Sequence, residues 1–125
     1  MYTVIPDTNF WIYCIQWRID IVREVERICP YGTKILLLTT VQTELEKLSK
    51  EKKVGKFAKI ALALAKSFPK EETKNDTPAD NVLVEKSKGK EIIIATQDRL
   101  LKSQLKCPIM GIKQKKYLFI INQNL

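Results

Sequence analysis

A chain of 125 residues, 45% of them hydrophobic, has the size and apolar content of one domain with one core, so a single domain spanning residues 1–125 is expected. The formal charge of +8 at pH 7, from 22 Lys and Arg against 14 Asp and Glu, says little about fold but favours a polyanionic partner such as nucleic acid. Three scattered cysteines (Cys14, Cys29 and Cys107) and no histidine exclude a disulfide framework and a Cys/His zinc site, which leaves carboxylates, lysines, hydroxyls or a bound metal for any catalysis.

The chain opens on Tyr2-Thr3-Val4-Ile5, short, β-branched and aromatic, and the turn and capping residues Pro6-Asp7-Thr8-Asn9 follow it, which predicts a strand and then a helix. Apolar residues from Phe10 to Cys29, with Asp20 as a cap between Trp17 and Ile21, fit two short helices. Pro30-Tyr31-Gly32 breaks that pattern. The continuous run Ile35-Leu36-Leu37-Leu38 then reads as a strand buried on both faces. Thr39 or Thr40 can cap a helix through Val41, Leu45 and Leu48, and a further helix is expected between Val54 and Phe68.

The charged stretch Pro69 to Thr77 reads as an exposed, mobile loop that could lie over a binding edge. Pro78 suits the first turn of a helix carrying Val82, Leu83 and Val84, ended near Gly89 before the buried-strand run Ile92-Ile93-Ile94-Ala95. A helix with Leu100, Leu101 and Leu105 follows Asp98, and Pro108 to Ile112 and Tyr117 to Ile121 read as two terminal strands. Alternating helices and fully apolar strands predict an α/β domain: a mostly parallel open sheet of about five strands flanked by helices on both faces. No apolar run approaches the roughly 18 residues of a membrane span and no leader pattern opens the chain, so a soluble protein of a reducing, cytoplasmic compartment is expected.

In such a sheet the crossover helices begin at the edge formed by the strands' C-terminal ends. Asp7 follows the first strand, Glu44 lies early in the helix after the second, Asp98 follows the third, and Asp80 opens the helix leading into it. Taken singly, Asp7 and Asp98 also suit helix N-caps, Asp80 suits a first-turn acid, and Glu44 suits a solvated partner of Lys47. Taken together, four carboxylates crowded on one edge require raised pKa values or compensating cations, and such oxygen clusters are what Mg²⁺ and Mn²⁺ prefer. An acidic pit in an otherwise basic chain suits a polyphosphate substrate. The lysine groups around Lys50 to Lys56, Lys86 to Lys90 and Lys113 to Lys116 read first as solvated faces, with nucleic-acid contact as the lesser alternative. Trp11, Tyr13 and Trp17 could stack on bases, but aromatics in an early helix of a small domain more often belong to the core, and no role is assigned to them.

The segments Val4-Ile5-Pro6-Asp7-Thr8-Asn9-Phe10, Thr43-Glu44-Leu45-Glu46-Lys47-Leu48, Thr77-Pro78-Ala79-Asp80-Asn81 and Ile94-Ala95-Thr96-Gln97-Asp98-Arg99 resemble the PIN-domain nucleases, in particular their ribosomal-RNA-processing branch. The resemblance implies an endoribonuclease dependent on Mg²⁺ or Mn²⁺, with Asp7, Glu44, Asp80 and Asp98 as the acidic ligands and Asn9 and Thr96 as supporting polar residues. One position departs from the pattern: Asn81 stands where that branch often carries a second acid, directly after the one matching Asp80. The likeness further implies RNA as substrate, recognised with the help of a homodimer or a ribosome-assembly partner. Other readings are the toxin half of a toxin-antitoxin pair, which resembles the same family, and a non-catalytic RNA-binding assembly module.

Overall fold

The structure, a computed structural model, describes residues 1–29, 32–74 and 76–121. Pro30 and Tyr31 of the expected break, and Asn75 of the expected loop, lie outside the described residues. In chain order the elements are β1 (Tyr2–Pro6), α1 (Thr8–Gln16), α2 (Ile21–Ile28), β2 (Thr33–Ile35), β3 (Leu37–Leu38), α3 (Thr39–Leu48) and α4 (Gly55–Ala65). They continue with β4 (Lys70–Glu71), α5 (Ala79–Lys86), β5 (Ile92–Ala95), α6 (Arg99–Gln104), β6 (Ile109–Lys113) and β7 (Tyr117–Ile121).

Five strands form one sheet in the order β2-β1-β5-β6-β7, parallel except for the final antiparallel pair. The expected mostly parallel sheet is therefore borne out. The apolar strand residues Val4, Ile5, Ile93, Ile94, Ile109 and Met110 are almost fully enclosed and join the helix residues Phe10, Trp11, Leu45 and Leu83 in one core. Helices α1, α3 and α4 pack on one another, α2 lies against β7, and α5 contacts α3 and α6. From β1 the chain first adds a strand on one side, β2, and later adds β5 and β6 on the other. With right-handed crossovers, that reversal sends the connecting helices to opposite faces and leaves a crevice beyond the C-terminal ends of β1 and β5.

Four expectations are corrected. The run Ile35 to Leu38 is not one strand: Ile35 ends β2 beside β1, whereas Leu37 and Leu38 pair with Lys70 and Glu71 of β4 in a separate two-stranded sheet. The Leu36 amide still donates to the Val4 carbonyl, at 2.9 Å, so the chain changes partners without leaving a buried backbone group unpaired.

The stretch after Pro69 is also not free. Besides forming β4, it is tied to the start of α3, where Thr73 exchanges hydrogen bonds with Thr39 and accepts the Thr40 amide, and the Thr40 hydroxyl donates to the Thr77 carbonyl. Neither Thr39 nor Thr40 caps α3 through its own side chain; the cap position is Leu38, and Thr73 supplies the missing acceptor from a distant part of the chain. Finally, Pro78 occupies the cap position before α5 rather than its first turn.

Candidate active site

Asp7 leaves β1 with its amide bonded to the Ala95 carbonyl of β5, at 2.9 Å, so the ends of the two central strands are locked side by side. Its side chain is 7% exposed and both carboxylate oxygens are engaged. Oδ1 accepts the Phe10 amide at 2.7 Å and caps α1, while Oδ2 accepts the Thr96 hydroxyl. Thr96 is fully buried, and its Oγ1 also accepts the Asp98 amide at 3.0 Å, so one hydroxyl joins the two acids. Asp98 in turn caps α6, with Oδ1 accepting the Leu101 amide at 3.0 Å. The capping reading of Asp7 and Asp98 and their convergence are thus both true, because a cap at a crossover helix necessarily stands on the edge where the crevice opens.

Glu44 comes from the second turn of α3 and bridges two other helix starts. Its Oε1 accepts the Thr8 hydroxyl at 2.6 Å and its Oε2 accepts the Ala79 amide at 3.2 Å. Because Pro78 offers α5 no side-chain cap, Glu44 satisfies that helix's first free amide instead. It forms no ion pair with Lys47 among the described residues. Asp80, in the first turn of α5, is exposed, as is Asp98, whereas Glu44 is half-buried and Asp7 buried.

All four acids, with Asn9, Asn81, Thr8 and Pro78, line one cleft of about 320 Å³. Of the residues singled out from sequence, only Thr96 stands outside its walls, buried behind Asp7. Burial pushes the Asp7 carboxyl up to about 6; the Thr96 and Phe10 hydrogen bonds oppose this, and the nearby Asp80 and Asp98 charges add to it. Asp80 is also raised, first by burial and then by the charges of Asp98 and Glu44. The acids therefore sense one another electrostatically, and a cation in the cleft would relieve that repulsion.

The donor set, all carboxylate oxygen, fits a hard divalent ion such as Mg²⁺ or Mn²⁺. Among the described residues, however, no three Asp, Glu or Cys side chains are already gathered closely enough to hold one. The cleft is an open acidic cradle.

A family model described as "PIN like domain" matches residues 4–115, from within β1 to just past the end of β6. This chain is a member of the PIN-like domain family. The resemblance to PIN-domain nucleases and their ribosomal-RNA-processing branch, first seen in four short acidic motifs, therefore holds. The PIN-like fold is also that of a solved structure described as the PIN domain endonuclease Utp24, at a TM-score of 0.76 and 32% identity, covering 99% of this chain and 92% of that one. Among curated proteins, this chain is 35% identical over 127 residues to ribonuclease VapC4 of Methanocaldococcus jannaschii, across 96% of its own length and 97% of the relative's. It is 33% identical over 124 residues to the rRNA-processing protein fcf1 of Schizosaccharomyces pombe, across 92% of its own length but 61% of the relative's.

Two residues of this PIN-like site escaped the sequence reading. Thr8 orients Glu44, and its place directly after Asp7 was the available signal. Gln97 binds both backbone groups of Ile112, accepting its amide at 2.7 Å and donating to its carbonyl at 3.2 Å, and so fixes the turn that carries Asp98 against β6. Nothing local in the sequence marks that long-range contact.

Proposed function

We propose that this protein is a metal-dependent endoribonuclease in which Asp7, Asp80 and Asp98 hold Mg²⁺ or Mn²⁺ and Glu44 binds the ion or its water. The observation that carries this reading is the meeting of four acids from four separate segments in one cleft at the strand-order reversal of a chain whose net charge is +8. When bound, the ion supplies a polarised water and neutralises charge developing on a phosphodiester oxygen. The protein's own contribution is positional. Thr96 and the Phe10 amide hold both Asp7 oxygens, Thr8 and the Ala79 amide hold Glu44, and Leu101 holds Asp98. Surface lysines grip the flanking phosphates.

Likeness to Utp24 and fcf1 supports processing of ribosomal RNA, with ribosome-assembly partners or a second copy of this chain aiding recognition. The near full-length likeness to VapC4 supports a second reading, a toxin ribonuclease that a cognate antitoxin would restrain. Among the described residues no helix is long and apolar enough to cross a membrane, which accords with a cytoplasmic site of action.

The decisive test uses purified wild type and the Asp7→Asn/Asp98→Asn variant on end-labelled structured and single-stranded RNA, with Mn²⁺, with Mg²⁺ and with chelator. Metal-dependent internal cuts absent from the variant are expected. Intact RNA throughout, with binding retained, would instead make the chain a non-catalytic RNA-binding assembly module, as the neutral Asn81 allows. Growth arrest on expression, relieved by an adjacent gene product, would select the toxin role.

A further inference from the structure

Strand β6 runs parallel to β5, so its end opens on the same edge as Asp7 and Asp98. There the chain reverses into β7 through residues 113–116. Gln114 and Lys115 both adopt left-handed backbone (φ 56° and 53°), and the Lys116 amide donates to the Lys113 carbonyl at 3.0 Å, as in a type I′ turn. Such turns ordinarily take Gly or Asn at these positions. Here Gln and Lys accept the backbone strain, and Lys113, Lys115 and Lys116 are exposed. Among the described residues none of the three is in an ion pair.

The Lys115 ammonium instead lies 5.6 Å from the centroid of the Trp17 ring, and Trp17 is stacked on Tyr13 with centroids 4.6 Å apart and planes within 3°. Tyr13 also lines a second cavity, of about 120 Å³, whose other walls are Asp7, Asn9, Gln97 and Asp98. The two parallel rings thus stand between the cavity that the acids line and Lys115, while Lys113 and Lys116 lie over the Phe119 and Tyr117 rings, 5.4 Å and 5.6 Å from their centroids. Trp11, two residues before Tyr13, is fully enclosed and packs on Phe68, as a core aromatic should. Tyr13 and Trp17 are only half-buried, and a flat aromatic pair of which one member lines the acid cavity is a platform on which a nucleobase can stack.

We propose that Tyr13, Trp17 and the lysines of the 113–116 turn form a stacking subsite for single-stranded RNA beside the cleft. Bases flanking the scissile phosphate continue the Tyr13/Trp17 stack, and the lysines neutralise the phosphates that follow. A paired duplex keeps its base faces covered and gains only the lysine contacts, so the subsite selects single strands. The inference rests on the ribonuclease reading above, but it concerns binding and is testable without cleavage.

The test is titration of a short fluorescein-labelled oligoadenylate, single-stranded or annealed to its complement, into wild type and variants in excess EDTA, followed by anisotropy and tryptophan emission. Single strands should quench wild-type emission, and the quench should vanish in Trp17→Phe, where Trp11 is the remaining tryptophan. Tyr13→Leu should weaken single-strand binding about tenfold while duplex binding stays within about twofold, and Tyr13→Phe should bind like wild type. Replacing Lys113, Lys115 and Lys116 by Gln should lower the slope of log affinity against log salt by about 2, the release expected for three single-strand phosphate contacts. The lysine variant alters only exposed side chains, so it decides the matter even if Tyr13→Leu misfolds. Wild-type affinity, quench and salt slope in these variants would overturn the subsite alone. So would a protein that cuts RNA with metal yet binds no oligoadenylate in EDTA. A protein that neither binds nor cuts overturns both this inference and the ribonuclease reading.

Discussion

The Thr96 hydroxyl donates to Asp7 and accepts from the Asp98 amide, so a single buried side chain sets the position of one acid and the loop bearing another. Thr96→Val keeps the shape but removes a contact that favours the ionised Asp7. The Asp7 carboxyl should then rise above about 6, and the acid limb of the pH profile for RNA cleavage should move to higher pH. Pre-steady-state cleavage measured from pH 5 to pH 9 reads this directly; an unmoved acid limb would mean that Asp7 does not govern it.

The buried Asp7 should make the protein more stable in mild acid than at neutrality. Its carboxyl titrates near 3.8 when exposed and at about 6 when folded, so between these values the folded state binds more protons than the unfolded one. Stability falls as pH rises through that window, by at most about 3 kcal/mol for this group. Asp7→Asn retains a capping oxygen for α1 and carries no charge. It should therefore raise the urea midpoint at pH 7.5 and change it little at pH 3.5.

Divalent ions should reverse that penalty. Mn²⁺ or Mg²⁺ added at pH 7.5 is expected to raise Tm in wild type, by an amount that grows with the logarithm of ion concentration. At pH 5 a proton competes for Asp7 and the increment should shrink. The Asp7→Asn/Asp98→Asn variant should show little increment at either pH. Calorimetry of the wild type with and without ion would contradict the metal assignment if Tm stayed constant across the titration.

On the proposed function, Glu44 joins structure and chemistry in one side chain. Glu44→Ala strands the Thr8 hydroxyl and the Ala79 amide and should cost about 1–2 kcal/mol in urea unfolding. Glu44→Gln keeps one acceptor and should cost less than half of that, yet it removes the charge and should depress cleavage as strongly as the alanine variant. Equal activity of wild type and Glu44→Gln would confine Glu44 to a structural role.

The cleft was legible because Asp7 and Asp98 follow apolar strands and Glu44 and Asp80 lie early in helices, and strand runs such as Ile92 to Ala95 announce themselves. Crossover geometry then turned sequence position into a shared edge. What stayed hidden depends on partners distant in sequence. Nothing in Ile35-Leu36-Leu37-Leu38 marks the change of sheet at Leu36, and Lys70-Glu71 carries no strand signature; it is a strand because Leu37 and Leu38 present an edge to it. Thr73 caps α3 from outside any local capping pattern. The division of the aromatics had a signal that went unused: Tyr13 and Trp17 are four apart and share a helix face, whereas Trp11 points elsewhere.

Gly111 offers a way to disturb the turn before Asp98 without touching an acid. A Cβ there would stand 3.0 Å from two Phe119 ring atoms and 3.2 Å from the Gln97 side-chain oxygen Oε1, inside ordinary contact distance. Gln97 is held by both backbone groups of Ile112, so it yields only by giving up the bonds that anchor the turn before Asp98. Gly111→Ala is therefore expected to destabilise the fold by about 1–3 kcal/mol, as overpacked interiors do, and to lower cleavage beyond what the lost folded fraction explains. Gln97→Ala in the Gly111→Ala background should relieve the contact with Gln97, though not that with Phe119, and should not restore the turn, so stability should recover in part while activity stays low. Recovery of both would show that the Gln97 anchor is not needed to place Asp98.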